Sequence, residues 1–203
     1  LQANLSAPGK REVGAILSYN EELTSAMTWL GERPDTIFLG QSVAYPGNAL
    51  FKTLEGVPMA KRVELPVAEE LQLGISLGMA LRGKVVISIF PRMDFLMCAM
   101  NQLVNHLDKE LYPMTGRVLI RTCVGSTKPM HPGVQHCGNY VKGLRELLRN
   151  VRVLELDESQ KIVKAYMFAY GRLKDRSAEA TGAVIKNSIL VEFGDLYGME
   201  KYV

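Results

Sequence analysis

The sequence predicts a three-layer α/β/α sandwich around a mainly parallel sheet. Two observations carry this: short β-branched runs recur along the chain, and segments of helical length separate them, the pattern of successive βαβ units. A third fixes the extent, because 203 residues without a repeat, low-complexity tract or Ser/Gly linker suit one domain spanning 1–203. A chain of this size buries about 70% of its unfolded surface in a single core.

The elements follow in order. Apolar spacing over 12–30 suits an amphipathic helix, which Gly31 and Pro34 terminate. Residues 36–39 read as a strand, 49–54 as a short helix and 62–65 as a second strand. A Gly-spaced helix over 69–83 leads to a strand at 84–90 and a helix over 94–111. A strand at 117–122, a helix at 140–148 and a strand at 151–156 continue the alternation. Asp157 is placed to cap a helix reaching Arg172, and 188–193 supplies the last strand. The polar stretch 172–183 reads as a surface excursion, and 1–10 as a flexible N-terminal arm.

Composition narrows the function classes. The net charge of +3 is spread along the chain without a basic stripe, so nucleic acid is not an expected partner. Cys98, Cys123 and Cys137 are odd in number and form no paired framework, which points to free thiols in a reducing cytoplasm. The first 11 residues hold no apolar run, and Lys84, Arg92 and Asp94 interrupt the most hydrophobic region. Neither a secretory signal nor a membrane anchor is expected.

No Gly-x-Gly-x-x-Gly follows a strand, and Gly125-Ser126-Thr127-Lys128-Pro129 lacks the spacing of a phosphate-cradling loop. His131, His136 and Cys137 fit no zinc-ligand spacing, so no metal site is expected. His106 lies in helical text and reads as structural or exposed, and Met93, Met97 and Met100 as adaptable packing. The informative stretch is Glu64-Leu65-Pro66-Val67-Ala68-Glu69-Glu70, which runs from a strand into a helix. Turns of that kind are where open α/β sheets bind ligands. A carboxylate there also complements the helix dipole, and on residue chemistry alone that ordinary reading prevails.

The text that follows tips the balance. Glu69 opens the Gly-spaced helix through Gly74, Gly78 and Gly83, and Asp94-Phe95 and Asn101-Gln102-Leu103-Val104-Asn105 come after the next strand. Gly133-Val134-Gln135-His136 and Ile189-Leu190-Val191-Glu192-Phe193-Gly194-Asp195 extend the pattern. This resembles the pyrimidine-binding domain of thiamine diphosphate enzymes, most of all the beta subunit of 2-oxo acid dehydrogenase decarboxylase components. The resemblance covers most of the chain.

That resemblance implies thiamine diphosphate as cofactor and a small 2-oxo acid as substrate. Glu69 would hydrogen-bond a ring nitrogen of the aminopyrimidine and so favour the imino form that deprotonates the thiazolium. A carboxyl withdrawn from water suits the task, because desolvation favours its protonated, donating form. Phe95 would pack against the aminopyrimidine, Val67 would line the same pocket, and His136 would border the substrate as a proton donor, acceptor or anion stabiliser. The family's Gly-Asp-Gly pattern for magnesium and diphosphate is missing, so a partner subunit would supply it in a heterodimer or heterotetramer. Transketolase and deoxyxylulose phosphate synthase share the domain, making ketol transfer the enzymatic alternative; a noncatalytic interaction domain is the other.

Two departures stand out. The family's strand-end Gly-Glu is Gly40-Gln41 here, which puts a proton relay through that acid in question. The beta subunits also carry a further C-terminal domain, and a split enzyme, a free-standing subunit or a fragment would each account for a chain without it.

Overall fold

The computed structural model describes residues 17–109, 114–128, 131–171 and 187–197. The expected arm at 1–10 and excursion at 172–183 lie outside them. Among the described residues, six parallel strands form one sheet: β1 (Thr36–Gly40), β2 (Arg62–Glu64), β3 (Val85–Phe90), β4 (Arg117–Val124), β5 (Val151–Glu155) and β6 (Asn187–Phe193). Their order is β2-β1-β3-β4-β6-β5, and every pairing is parallel. The expected fold class is the observed one.

Helices cover both faces. α1 (Tyr19–Gly31) and α6 (Ser159–Tyr170) pack Leu23, Met27, Leu30, Ile162 and Tyr166 against Phe38, Ile87, Leu119 and Leu190 of one face. α3 (Glu69–Leu81), the short α4 (Met93–Leu96) and α5 (Val141–Leu147) pack Leu73, Leu77, Leu96 and Leu144 against Val118, Ile120, Ile189 and Val191 of the other. A four-residue α2 (Ala49–Lys52) follows β1, capped by the Asn48 side chain.

Three expectations about local structure are corrected. The first helix begins at Tyr19, because Ser18 and Glu21 close a capping box that fixes the start; 12–16 lie outside the described residues. Asp157 does not cap α6: Glu158 is the cap residue, without a side-chain bond, and both acids pair with Lys161 instead. The helix expected over 94–111 is broken into α4, a 3₁₀ turn (Met97–Ala99) and a π-helical stretch (Gln102–Leu107). Asp108 explains the last, since its N–H bonds Leu103 O, five residues back. Its carboxylate also accepts from the N–H groups of Arg149, Asn150 and Val151 at 2.8–3.1 Å, tying the segment's end to the start of β5.

One buried network crosses the α1/α6 face near the carboxyl ends of β4 and β6. Arg121 and Glu192 pair through two hydrogen bonds, Nε–Oε1 at 2.6 Å and Nη2–Oε2 at 3.1 Å, with both side chains wholly buried. Thr53 accepts from Arg121 Nη2 at 2.8 Å, while the Tyr166 and Tyr197 hydroxyls donate to Glu192. Burial alone would lower the affinity of Arg121 for its proton, but the Glu192 carboxylate overrides it and holds the guanidinium well above its ordinary value.

Removing one member should therefore strand a buried charge. Arg121→Met alone is expected to cost about 3–5 kcal/mol, and the Arg121→Met/Glu192→Leu pair to cost less than that single change. Urea unfolding of the three proteins checks this; a loss below about 1 kcal/mol in the single variant contradicts it.

Alkaline pH supplies a second test. Burial raises the Cys123 thiol from 9.0 to about 12, and burial together with Asp35 raises the Tyr170 phenol from 10.0 to about 12. The unfolded groups ionise first, so the stability these two groups contribute is full below pH 9.0 and is lost as pH rises through about 12. Urea midpoints at about pH 8 and about pH 11 should differ less in Tyr170→Phe/Cys123→Ala than in wild type.

Candidate functional site

Because every strand is parallel, the loops after β1, β2, β3 and β4 open at one edge of the sheet, and these four strands are neighbours. The connection from β1 leads outward to β2, whereas that from β3 leads the opposite way to β4, so strand order reverses between the neighbours β1 and β3. Ligands of open α/β sheets bind outside the carboxyl ends at such a reversal. Gln41 follows β1, Val67 and Glu69 follow β2, Phe95 follows β3, and His136 follows β4. All the sequence-predicted site residues thus stand on this edge.

Glu69 is the first residue of α3, behind Ala68, which caps without a side-chain bond. Its carboxylate is half-buried and accepts a hydrogen bond from Gln41 Nε2 at 3.3 Å. Full withdrawal from water, which the resemblance called for, is not supplied by the described residues. Glu70 is turned differently, with Oε2 sealed from solvent and unpartnered. Val67 is 77% exposed on the turn.

Buried polar groups fix the start of α3 over the sheet. Gln72 Nε2 donates to Ile89 O at 3.0 Å and Ser88 Oγ at 3.2 Å, and Ser76 Oγ lies 3.0 Å from Ser88 Oγ. Gly40 makes room for this crossing: at φ +149°, a Cβ there would stand 2.3 Å from Ile89 O. β1 therefore ends flush beneath α3, with Gln41 as the next residue.

On the other side of the reversal, Phe95 and His136 meet edge to face, with ring centroids 5.6 Å apart at 81°. His136 lies on a 3₁₀ turn (Val134–His136) and is half-buried; its Nδ1 is sealed from solvent and has no hydrogen-bond partner. Asp94 fastens this turn to α4. Its carboxylate accepts from Gly138 N–H at 3.1 Å and from the Tyr140 hydroxyl at 3.0 Å, a bond that raises the Tyr140 phenol above its ordinary value. Gly125 lets the turn approach β4, since a Cβ there would meet His136 O at 1.9 Å.

Sequence reasoning assigned no role to Glu64 or Arg92, and it used Asp94 only as part of the pattern around Phe95. Glu64 accepts three backbone N–H bonds from the loop after β1, and Asp94 anchors the His136 turn. Arg92, half-buried between Pro91 O and Gly125, brings a guanidinium to the same edge. Arg92 carried a signal as a cation at a strand end and Asp94 as the acid before Phe95; the bonds of Glu64 and Asp94 depend on strands being neighbours. Among the described residues no group of three His, Cys, Asp or Glu is arranged to hold a metal. None of their helices is long and apolar enough to cross a membrane. Cys98 is exposed, Cys123 buried and Cys137 partly buried, all as free thiols.

No protein-family profile matches the chain, and no curated protein does. Solved structures do, 41 chains in all. One is a split-gene transketolase described as an inactive beta4 tetramer, at TM-score 0.59 and 15% identity, covering 88% of this chain and 51% of that one. Another is benzoylformate decarboxylase from Polynucleobacter necessarius, at TM-score 0.55 and 12% identity, covering 97% of this chain and 36% of that one. The chain thus spans about half the length of the first and about a third of the second. At these identities the likeness is one of fold alone: the chain shares its parallel α/β fold with part of each of these two proteins.

Proposed function

We propose that the chain is the pyrimidine-binding subunit of a thiamine diphosphate enzyme that decarboxylates a 2-oxo acid. The observation that carries the reading is the placement of Glu69. Its half-buried carboxylate sits at the reversal in strand order, held by Gln41 and otherwise unengaged by the described residues. The residues fit the group: a carboxylate with spare hydrogen-bonding capacity, an exposed Val67 and the Phe95–His136 pair suit a flat, polar heteroaromatic ring.

In this reading Glu69 holds a proton against a ring nitrogen of the aminopyrimidine, and Gln41 keeps the carboxylate on that heading. Phe95 and Val67 offer apolar surface to the ring. When bound, thiamine diphosphate would supply an electron sink for the negative charge left on the substrate's carbonyl carbon as carbon dioxide departs. His136 exchanges protons with the substrate or stabilises its anionic oxygens, and Arg92 adds a positive charge at the same edge. A partner chain holds magnesium and the diphosphate and covers Glu69, completing its withdrawal from water. Ketol transfer is the second reading, favoured by the likeness to the split-gene transketolase.

Calorimetric titration of thiamine diphosphate with magnesium into the chain and its co-purified partner tests the proposal, alongside a 2-oxo acid decarboxylation assay. Binding with turnover that Glu69→Ala lowers at least about a hundredfold is expected. Absence of binding to every partnered form overturns it, and turnover of ketose donors in place of 2-oxo acids selects the second reading. In the same assays Phe95→Ala should weaken cofactor binding by about tenfold, given the worth of an aromatic contact. His136→Gln should lower kcat by about a hundredfold while cofactor affinity stays within about twofold.

A further inference from the structure

Glu64 is the last residue of β2 and lies beside Gly40 in the parallel ladder, one residue before Gln41. Its carboxylate accepts three consecutive N–H groups from the loop after β1: Ser42 at 2.6 Å, Val43 at 2.9 Å and Ala44 at 2.8 Å. Ser42 adopts φ +55°, a left-handed conformation uncommon for a residue with a side chain. A left-handed residue within a turn is what aims successive N–H groups at one anion. Gly47 closes the loop behind it, since a Cβ there would stand 2.2 Å from Ser42 Oγ.

The same short segment then grips the loop a second time. Five residues after Glu64, Glu69 accepts from the Gln41 side chain at 3.3 Å, and Leu65 N–H donates to Gly40 O at 2.8 Å. Glu64 thus holds the backbone on one side of Gln41, and the β1–β2 ladder holds it on the other. We infer that Glu64 is a positioning residue for the site: by clamping the loop at 42–44, it keeps the Gln41 amide on the Glu69 carboxylate.

Any effect on catalysis rests on the function proposed above, but the clamp itself can be measured on this chain alone. Glu64→Gln keeps the shape and replaces one acceptor oxygen by a donor, so it cannot accept all three bonds. Glu64→Asp keeps the charge with a shorter reach. NMR would follow the Gln41 side-chain amide through a pH titration, together with hydrogen exchange of the Ser42, Val43 and Ala44 amides.

In wild type the Gln41 amide signals should move with titration of Glu69 and stop doing so in Glu69→Gln. In Glu64→Gln that response should fall at least about threefold, with exchange at 42–44 faster by about tenfold or more, and Glu64→Asp should lie between. Faster exchange with the Gln41 response intact would overturn the inference and leave Glu64 a brace for the loop; unchanged exchange would overturn it as well. In the partnered enzyme, Glu64→Gln and Gln41→Ala should each lower kcat by about tenfold, and the double variant no further. A wild type that binds no cofactor would remove the functional reading while leaving the NMR result to decide the clamp.

Discussion

The structure depends first on an ion pair without access to water. Arg121 and Glu192 stand on adjacent strands, β4 and β6, both at 0% side-chain exposure. Taking two charges out of water costs several kcal/mol per ion, recovered only where good geometry and further hydrogen bonds satisfy them. Those bonds come from separate parts of the chain: Thr53 just after α2, Tyr166 on α6 and Tyr197 beyond β6. Tyr19 joins the same layer from α1, accepting from Phe193 N–H and donating to Leu156 O. One pair thereby ties most of a helical layer to the centre of the sheet.

Its position explains why the far edge can be built from loops. Both charged residues lie near the carboxyl ends of their strands, under the point where β4 gives way to the His136 turn. The opposite face is fixed by the Gln72, Ser76 and Ser88 cluster, which seats the start of α3 over β3. Between these two polar anchors, short side-chain bonds set the loops. Glu64 holds the loop after β1, and Asp94 holds the turn after β4. The result is an edge on which a carboxylate and an aromatic pair are held separately, with the exposed apolar side chains of Tyr45, Val67, Leu71 and Val134 on its loops and on α3.

Much of this was legible because it is written locally. The strands read as apolar runs since a parallel sheet covered on both faces exposes neither side, and the Glu69 turn announced itself through Pro66 and the Gly-spaced helix behind it. What was not legible rests on partners far apart in sequence. The π-helical stretch follows from Asp108 reaching residues 149–151, and the Arg121–Glu192 pair joins residues 71 apart. Gln41 looked like the loss of an acid; the fold makes it a hydrogen-bond donor to Glu69. Asp157 had the composition of a cap, yet Lys161 one turn on draws it away.

The central claim is that this edge is half a site, in which Glu69 acts on a cofactor held by another chain. The most direct measurement is hydrogen–deuterium exchange at the thiazolium carbon of thiamine diphosphate bound to the partner, with and without this chain. The account predicts faster exchange when the wild-type chain is added and no acceleration with Glu69→Gln. Exchange that is indifferent to the chain, or equally fast with Glu69→Gln, would contradict it.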